Sequence, residues 1–131
     1  MTGHAPMMKV LLVDDDEESC ELFQLALQRS GHDVVLAGDA ESALTLLEAS
    51  AFDVAVVDIS LPGMDGYAFA RLARERMGAR APALIAMTGY GRPQDVDEAR
   101  VAGFNAHLTK PVELVALNDA LALVMGGKSR G

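Results

Sequence analysis

Asp58 stands at the end of a short apolar run, where a carboxylate is well placed to do chemistry. The run 54–57 is rich in valine, which is typical of a strand buried on both faces. The turn-forming residues Pro62, Gly63 and Gly66 follow it. A side chain at the C-terminal end of a central parallel strand lies where open α/β sheets bind their ligands. We therefore predict a functional role for Asp58, against the alternative that it only ends the strand and caps the turn.

Other apolar runs of the chain also end in polar residues. Asp14 and Asp15 follow the first run, Thr88 follows the fourth and Lys110 follows the fifth. If all the strands are parallel, these ends meet at one edge of the sheet. In the strand order 2-1-3-4-5, the first and third strands flank the topological switch point. The pattern thus predicts that three carboxylates, a hydroxyl and an ammonium lie close together.

Such a cluster has a definite chemistry. Carboxylates within a few ångströms of one another repel, and some of them bind protons unless a cation lies between them. Oxygen ligands with room for water suit Mg²⁺, with Mn²⁺ as a second candidate. A carboxylate beside a divalent ion and a lysine can act as a nucleophile toward a phosphoryl group, because the positive charges stabilise the transferring oxygens.

Each of these residues also has a simpler interpretation when it is taken alone. The aspartates 14–16 could cap and charge the start of the first helix, and we expect Asp16 to do so. Thr88 could be a turn residue, and Lys110 could be a surface lysine. Their joint placement at strand ends favours the functional interpretation.

The elements that must position these residues alternate along the chain. Apolar runs predict strands at 10–13, 34–37, 54–57, 83–87 and 106–108. Helical patterns between them predict helices that end before Gly31, begin after Asp39, span about 67–76, span 93–102 and carry the stripe from Leu114 to Val124. Five strands alternating with five helices over short connections predict an α/β domain with a doubly wound parallel sheet. We place this domain at 9–125, between an extension at 1–8 and a tail at 126–131.

The charge of the chain limits its partners. The formal net charge is −8 at pH 7, and binding to a phosphate backbone needs a basic footprint. Direct binding to nucleic acid is therefore not expected. The densest basic group, Arg71, Arg74, Arg76 and Arg80, is interpreted as the solvated face of a helix.

Cysteine usage and hydropathy indicate the compartment. Cys20 is the only cysteine, which excludes a disulfide framework and a zinc pattern, and its place among apolar helical positions predicts inert packing. Residues 1–8 lack the charged flank and long apolar core of a signal peptide. No apolar run approaches the ~20 residues of a membrane span. These features predict a cytoplasmic protein.

Four motifs of the chain match one known family in order and spacing. They are Leu12-Val-Asp-Asp15, Val57-Asp-Ile-Ser-Leu-Pro-Gly-Met-Asp-Gly66, Met87-Thr-Gly-Tyr90 and Leu108-Thr-Lys-Pro111. In these motifs the sequence resembles the receiver domains of two-component response regulators, the CheY-like family, and the resemblance covers almost the whole chain. It implies the flavodoxin-like form of the doubly wound sheet, with the strand order 2-1-3-4-5.

The resemblance also implies roles for the residues of the cluster. Asp58 corresponds to the phosphoacceptor, and Asp14 and Asp15 correspond to the acidic pair that holds Mg²⁺ with it. In the family, the backbone carbonyl two residues after the phosphoacceptor completes the protein ligands, and here that residue is Ser60.

The resemblance assigns signalling roles to two further residues. Thr88 would bond the phosphoryl group and report its presence, and Lys110 would pair with its charge. The family commonly has Tyr or Phe three residues before the lysine, where this chain has His107. Because burial of an unpartnered imidazole is costly, we expect His107 to stay solvent-facing or hydrogen-bonded. Ser60 and Tyr90 are expected to flank the path of attacking water.

By this resemblance, the protein accepts a phosphoryl group from a sensor histidine kinase or a histidine phosphotransfer protein. It would then bias a downstream protein through a conformational switch, as a monomer or a phosphorylation-dependent dimer, without being an enzyme. The alternatives are an aspartyl phosphatase or mutase, whose lid these short loops do not supply, and a degenerate receiver used only for docking. A stand-alone regulator, a phosphorelay intermediate and the receiver of a hybrid histidine kinase all fit the sequence.

Overall fold

The structure of the protein, a computed structural model, describes residues 7–89 and 93–130, with side chains at 7–89 and 94–125. In these residues the strands are β1 (Lys9–Val13), β2 (Asp33–Ala37), β3 (Val54–Asp58), β4 (Ala83–Thr88) and β5 (Ala106–Thr109). The helices are α1 (Glu17–Arg29), α2 (Ala40–Ala49), α3 (Gly66–Met77), α4 (Pro93–Ala102) and α5 (Leu114–Arg130), with a 3-10 turn at Gly78–Arg80. None of the helices in these two ranges has the length and apolar character needed to cross a membrane.

The strands form one parallel sheet in the order β2-β1-β3-β4-β5. The predicted fold is confirmed, and the strand order reverses between β1 and β3, as the prediction requires. Each of β3, β4 and β5 extends one residue further than its apolar run, so that Asp58 and Thr88 are the last residues of their strands. Helix α5 runs to Arg130 and thus enters the segment 126–131 that the sequence predicts as a tail.

The core consists of two apolar layers, one on each face of the sheet. One layer packs α2, α3 and α4 on residues such as Leu11, Val57 and Leu84. The other packs α1 and α5 on the alternate residues, such as Val10 and Val56. All residues of β3 are buried because this strand lies near the middle of the sheet and has helices on both faces. The carboxylate of Asp58 is therefore carried on a rigid and fully covered strand.

The helix ends follow from polar side chains and one glycine. Asp16, Asp39 and Asp65 are the N-caps of α1, α2 and α3, and each accepts a hydrogen bond from a backbone N–H in the first turn. The capping role predicted for Asp16 is confirmed. Gly31 has a φ of 97°, the left-handed conformation that ends a helix without a Cβ clash, and it directly follows the C-cap of α1.

One of the four arginines predicted to form a solvated face departs from that prediction. Arg71, Arg76 and Arg80 are exposed, but Arg74 is half-buried. Its guanidinium donates hydrogen bonds to the backbone carbonyl of Gly103, at 3.1 and 2.6 Å. The prediction is wrong for this residue because a helical charge pattern does not reveal polar acceptors supplied from a distant part of the chain.

Gly66 allows α3 to begin directly against the end of β3. A Cβ at this position would lie 2.8 Å from the backbone of Ile59 and 3.0 Å from the carbonyl oxygen of Asp58. We expect Gly66→Ala to lower the free energy of unfolding by roughly 1–3 kcal/mol, because the backbone beside the site must shift. Gly38→Ala is the matched control, since no atom lies within 4 Å of its added Cβ. Urea unfolding of both variants tests this, and equal stability of the two would contradict it.

Candidate functional site

Three carboxylates meet at the point where the strand order reverses. Asp14 and Asp15 follow the end of β1, and Asp58 ends the adjacent β3, where Val13 lies opposite Val57. One carboxylate oxygen from each of Asp14, Asp15 and Asp58 lies within 4.8 Å of the other two. The predicted gathering of these aspartates is thus present. Asp14 and Asp58 are buried, whereas Asp15 is exposed.

The carboxylate of Asp58 is held on both of its oxygens. Its Oδ1 accepts a hydrogen bond of 2.9 Å from the backbone N–H of Ser60. Its Oδ2 accepts a hydrogen bond of 2.7 Å from the ammonium of Lys110. Since the residue is only 3% exposed, these contacts fix its rotamer and leave little room for rearrangement.

The surroundings of Asp14 raise the pKa of its carboxyl group. Burial raises its pKa, and the nearby charge of Asp58 adds to this, while a 3.0 Å hydrogen bond from the backbone N–H of Asp16 and the charge of Lys110 act in the opposite direction. The net result is a raised pKa, so Asp14 binds a proton more readily than a free aspartate does. A cation placed between these carboxylates would relieve the repulsion.

Lys110 links the acidic cluster to the end of β4. Its backbone N–H donates a 2.7 Å hydrogen bond to the carbonyl of Thr88, and its ammonium lies 3.9 Å from Asp14 Oδ2. Burial opposes the charge of this lysine, but the hydrogen bond to Asp58 and the charges of Asp14, Asp58 and Asp15 outweigh it and raise its pKa. Lys110 therefore stays an ammonium beside the cluster.

Cys20 lies under the site without taking part in it. The residue is 3% exposed, and its Sγ lies 3.5 Å from the backbone carbonyl of Asp14. Burial and the surrounding carboxylates raise the pKa of the thiol to about 11. Since the thiolate is the reactive form, the predicted role of inert packing agrees with this environment.

The remaining predicted site residues lie around the cluster at different depths. Thr88 is buried at the end of β4, and its neighbour Met87 lies opposite Asp58 in the sheet. Ser60 is exposed and contacts Asp58 through its backbone. His107 is exposed on β5, beside a cavity of about 110 Å³ that Val96, Ala99 and Phe104 also line. Tyr90 lies outside the described residues.

A groove of about 450 Å³ opens next to the acidic cluster. Its polar wall includes Asp14 and Lys110, and its apolar wall consists of Phe23, Met87, Pro111 and Val112. These apolar residues are not among the predicted site residues. The sequence offers little signal for them, because an apolar residue of a helical stripe, such as Phe23, is predicted to lie in the core.

A comparison with protein families identifies the chain. The model of the response regulator receiver domain matches residues 10–122. The chain belongs to this family. It is thus a receiver domain of two-component systems, and the acidic cluster at the ends of β1 and β3 belongs to this domain.

Relatives of this receiver occur as short and as long proteins. An uncharacterised 14.6 kDa protein of Leptolyngbya boryana is 37% identical over 110 residues, which cover 84% of each chain. The response regulator FleR of Pseudomonas aeruginosa is 40% identical over 114 residues, covering 87% of this chain and 24% of FleR. The sensor histidine kinase AruS of the same species is 36% identical over 119 residues, covering 89% of this chain and 12% of AruS. The chain therefore spans only a small part of the longer relatives.

Solved receiver structures superpose closely on this one. The chemotaxis response regulator CheY4 of Vibrio cholerae matches with a TM-score of 0.85 and 28% identity, covering 91% of this chain and 99% of that chain. The receiver domain of the Pseudomonas aeruginosa sensor histidine kinase PA1611 matches with a TM-score of 0.82 and 28% identity, covering 92% and 99%. That receiver was solved with a magnesium ion coordinated in its active site cleft.

The acidic cluster of this receiver fits a divalent cation. Its donors are all carboxylate oxygens, the ligand type that Mg²⁺ and Mn²⁺ prefer. The raised pKa of Asp14 points the same way, because part of it reflects repulsion from Asp58. Asp14, Asp15 and Asp58 are the residues that would hold the ion.

Proposed function

We propose that Asp58 accepts a phosphoryl group from a phosphorylated histidine of a sensor kinase or phosphotransfer protein. The observation that carries this proposal is the fixed carboxylate of Asp58, buried at the switch point between two further aspartates and a lysine ammonium. A kinase and a response regulator among the relatives support the choice of phosphodonor. The apolar groove beside Lys110 offers the donor a surface next to the reacting carboxylate.

In the proposed step, a carboxylate oxygen of Asp58 attacks the phosphorus of the phosphohistidine. An oxygen–phosphorus bond forms and the phosphorus–nitrogen bond breaks, with its electron pair returning to the imidazole. The Ser60 N–H and the Lys110 ammonium hold Asp58 in position. Lys110 also neutralises negative charge on the phosphoryl group as it is transferred to Asp58. When bound, Mg²⁺ or Mn²⁺ supplies further charge neutralisation, with Asp14, Asp15, Asp58 and the carbonyl of Ser60 as the proposed protein ligands.

The protein acts in this proposal as an acceptor and not as an enzyme with turnover. The test is incubation with excess acetyl phosphate and Mg²⁺, followed by intact-mass spectrometry and by assay of released phosphate. We expect one phosphoryl group per chain and slow release. Rapid multiple turnover, at a rate comparable with a metabolic phosphatase, would instead favour the aspartyl phosphatase alternative.

We further propose that the receiver occupies 9–125 and passes its signal to a protein partner. Net charge of −8 disfavours direct contact with nucleic acid. The chain spans 24% of FleR and 12% of AruS, so an attached output or kinase domain, a stand-alone regulator and a phosphorelay intermediate are all compatible with this role. A cytoplasmic location and an assembly state of either monomer or phosphorylation-dependent dimer stay predictions.

Thr88 is proposed to carry the signal, with little contribution from His107. Thr88 is buried at the end of β4, whereas His107 is exposed on β5, and an imidazole without partners would cost on the order of 1–3 kcal/mol to bury. We expect Thr88→Ala to lose the phosphorylation-dependent gain in partner affinity and His107→Ala to keep most of it. Titration calorimetry with and without a phosphoryl mimic measures both. Loss of the gain in His107→Ala, with normal labelling of Asp58, would make the imidazole the switch.

A further inference from the structure

Arg74 joins α3 to the connection between α4 and β5. Its guanidinium donates to the carbonyl of Gly103 through Nε at 3.1 Å and through Nη2 at 2.6 Å. The same Nη2 donates to Asn105 Oδ1 at 2.8 Å. These acceptors are uncharged, and burial lowers the pKa of the guanidinium, although it remains protonated. The half-buried guanidinium therefore fixes the position of the loop between α4 and β5.

The backbone conformation of Gly103 and its lack of a Cβ leave room for this arginine. Its φ is +118°, and a Cβ added to it would lie 2.9 Å from Cγ of Arg74. A side chain at this position would therefore be strained and would also displace the stem of the arginine. The glycine thus gives the guanidinium access to the carbonyl.

Asn105 connects Arg74 to β4. Its side-chain Oδ1, which Arg74 contacts, also accepts a 2.8 Å hydrogen bond from the backbone N–H of Leu84. Its own backbone N–H donates a 2.7 Å hydrogen bond to the carbonyl of Leu84. The residue directly before β5 is therefore held on β4 by two hydrogen bonds, one of which shares its acceptor with Arg74.

β5 is a short strand whose inward face is only partly buried. It is an edge strand of four residues, and within the described part of the chain it pairs with β4 alone. His107 and Thr109 are exposed, and Ala106 and Leu108 are only partly buried. Ala106 and Leu108 pack against the apolar layer of α1 and α5, but two half-buried residues specify the register of a strand less strongly than a fully buried face does.

The position of β5 matters because the strand leads directly to Lys110. The ammonium of Lys110 lies 2.7 Å from Asp58 Oδ2, and its backbone N–H bonds to Thr88. A slip of one residue displaces a strand by about 3.3 Å and turns its side chains to the other face. The contact between Lys110 and Asp58 does not survive such a slip.

We propose that Arg74 is a positioning residue for phosphoryl transfer, which fixes the start of β5 through Gly103 and Asn105 and thereby holds Lys110 against Asp58. The proposal rests on the function proposed above for Asp58. It concerns a residue of α3 whose hydrogen bonds go to Gly103 and Asn105 and not to the reacting carboxylate.

The decisive experiment is a double-mutant cycle on the rate of labelling by acetyl phosphate with Mg²⁺. We expect Arg74→Ala to slow labelling about tenfold in the wild-type background and by less than about twofold in the Lys110→Ala background. Arg74→Lys keeps the charge but not the two-pronged geometry. In the wild-type background it should label at a rate between those of the wild type and Arg74→Ala. Arg71→Ala is the control, because it removes the same charge from an exposed position of α3 and should label at the wild-type rate.

Hydrogen exchange measured by NMR supplies a second readout that needs no phosphorylation. In Arg74→Ala and in Asn105→Ala, the amides of Leu84 and Lys110 should lose protection, while that of Val56 in the central strand should keep it. Equal loss at all three amides, wild-type labelling by Arg74→Ala, or the same slowing in the Lys110→Ala background would each overturn the proposal. If Asp58→Asn still labels, the proposed function fails, whereas the exchange pattern still reports whether Arg74 fixes β5.

Discussion

Asp58→Asn is expected to abolish phosphorylation while the domain stays folded. The amide is not a nucleophile toward phosphorus, and no other carboxylate in the described residues combines burial at the switch point with hydrogen bonds from Ser60 and Lys110. Labelling by acetyl phosphate should fall by at least ~100-fold, which corresponds to about 2.7 kcal/mol of barrier. Intact-mass spectrometry measures the loss, and peptide mapping places the label in the wild type.

The stability of Asp58→Asn should change little, because two effects oppose each other. The asparagine side chain keeps one of the two oxygen acceptors that Ser60 and Lys110 use, and the loss of the other is destabilising. The substitution also removes the negative charge that repels Asp14, which is stabilising. We expect the free energy of unfolding to stay within about 1 kcal/mol of wild type.

Asp65→Asn provides the control for this substitution. It causes the same change of charge at the exposed N-cap of α3, where asparagine caps as well as aspartate. This variant should label like the wild type. Full labelling of a folded Asp58→Asn variant would show that another residue is the phosphoacceptor.

The sequence predicts the fold well because its signals are local and agree with one another. β3 is a continuous apolar run since it is covered on both faces, and such a run is visible without a structure. Because the strands are parallel, the polar residues that follow them are predicted to meet at one edge of the sheet. Asp14, Asp15 and Asp58 are predicted together for this reason, although Asp58 lies far from the other two in the chain.

Other features of the molecule depend on contacts that no local pattern encodes. Arg74 looks like any surface arginine of α3, and only the approach of Gly103 and Asn105 gives it partners. Phe23 of α1 packs partly against the apolar layer of α1 and α5, and it also lines the groove beside the cluster. In both cases residues from distant parts of the chain form the surroundings of the side chain.

Mg²⁺ is expected to stabilise the folded protein strongly, with Asp15 as one of its ligands. The three carboxylates are brought together only in the folded chain, so an ion that binds them favours folding by mass action. At a concentration of 100 times the Kd the gain is about 2.7 kcal/mol, or a rise in Tm of roughly 10 °C for a domain of this size. Thermal unfolding with MgCl₂, against NaCl of equal ionic strength and against EDTA, measures the gain.

Asp15→Asn separates the metal site from the structural role of its neighbour. Asp14 is buried and accepts a hydrogen bond from the backbone N–H of Asp16, so its replacement would disturb the loop itself. Asp15 is exposed, and its substitution should remove most of the Mg²⁺ effect on Tm while leaving the metal-free protein as stable as wild type or slightly more stable. Asp16→Asn, which removes the same charge one residue later and preserves the N-cap of α1, should keep the full response. Equal Mg²⁺ responses in these two variants would mean that the ion acts by screening charge and that Asp15 is not a ligand.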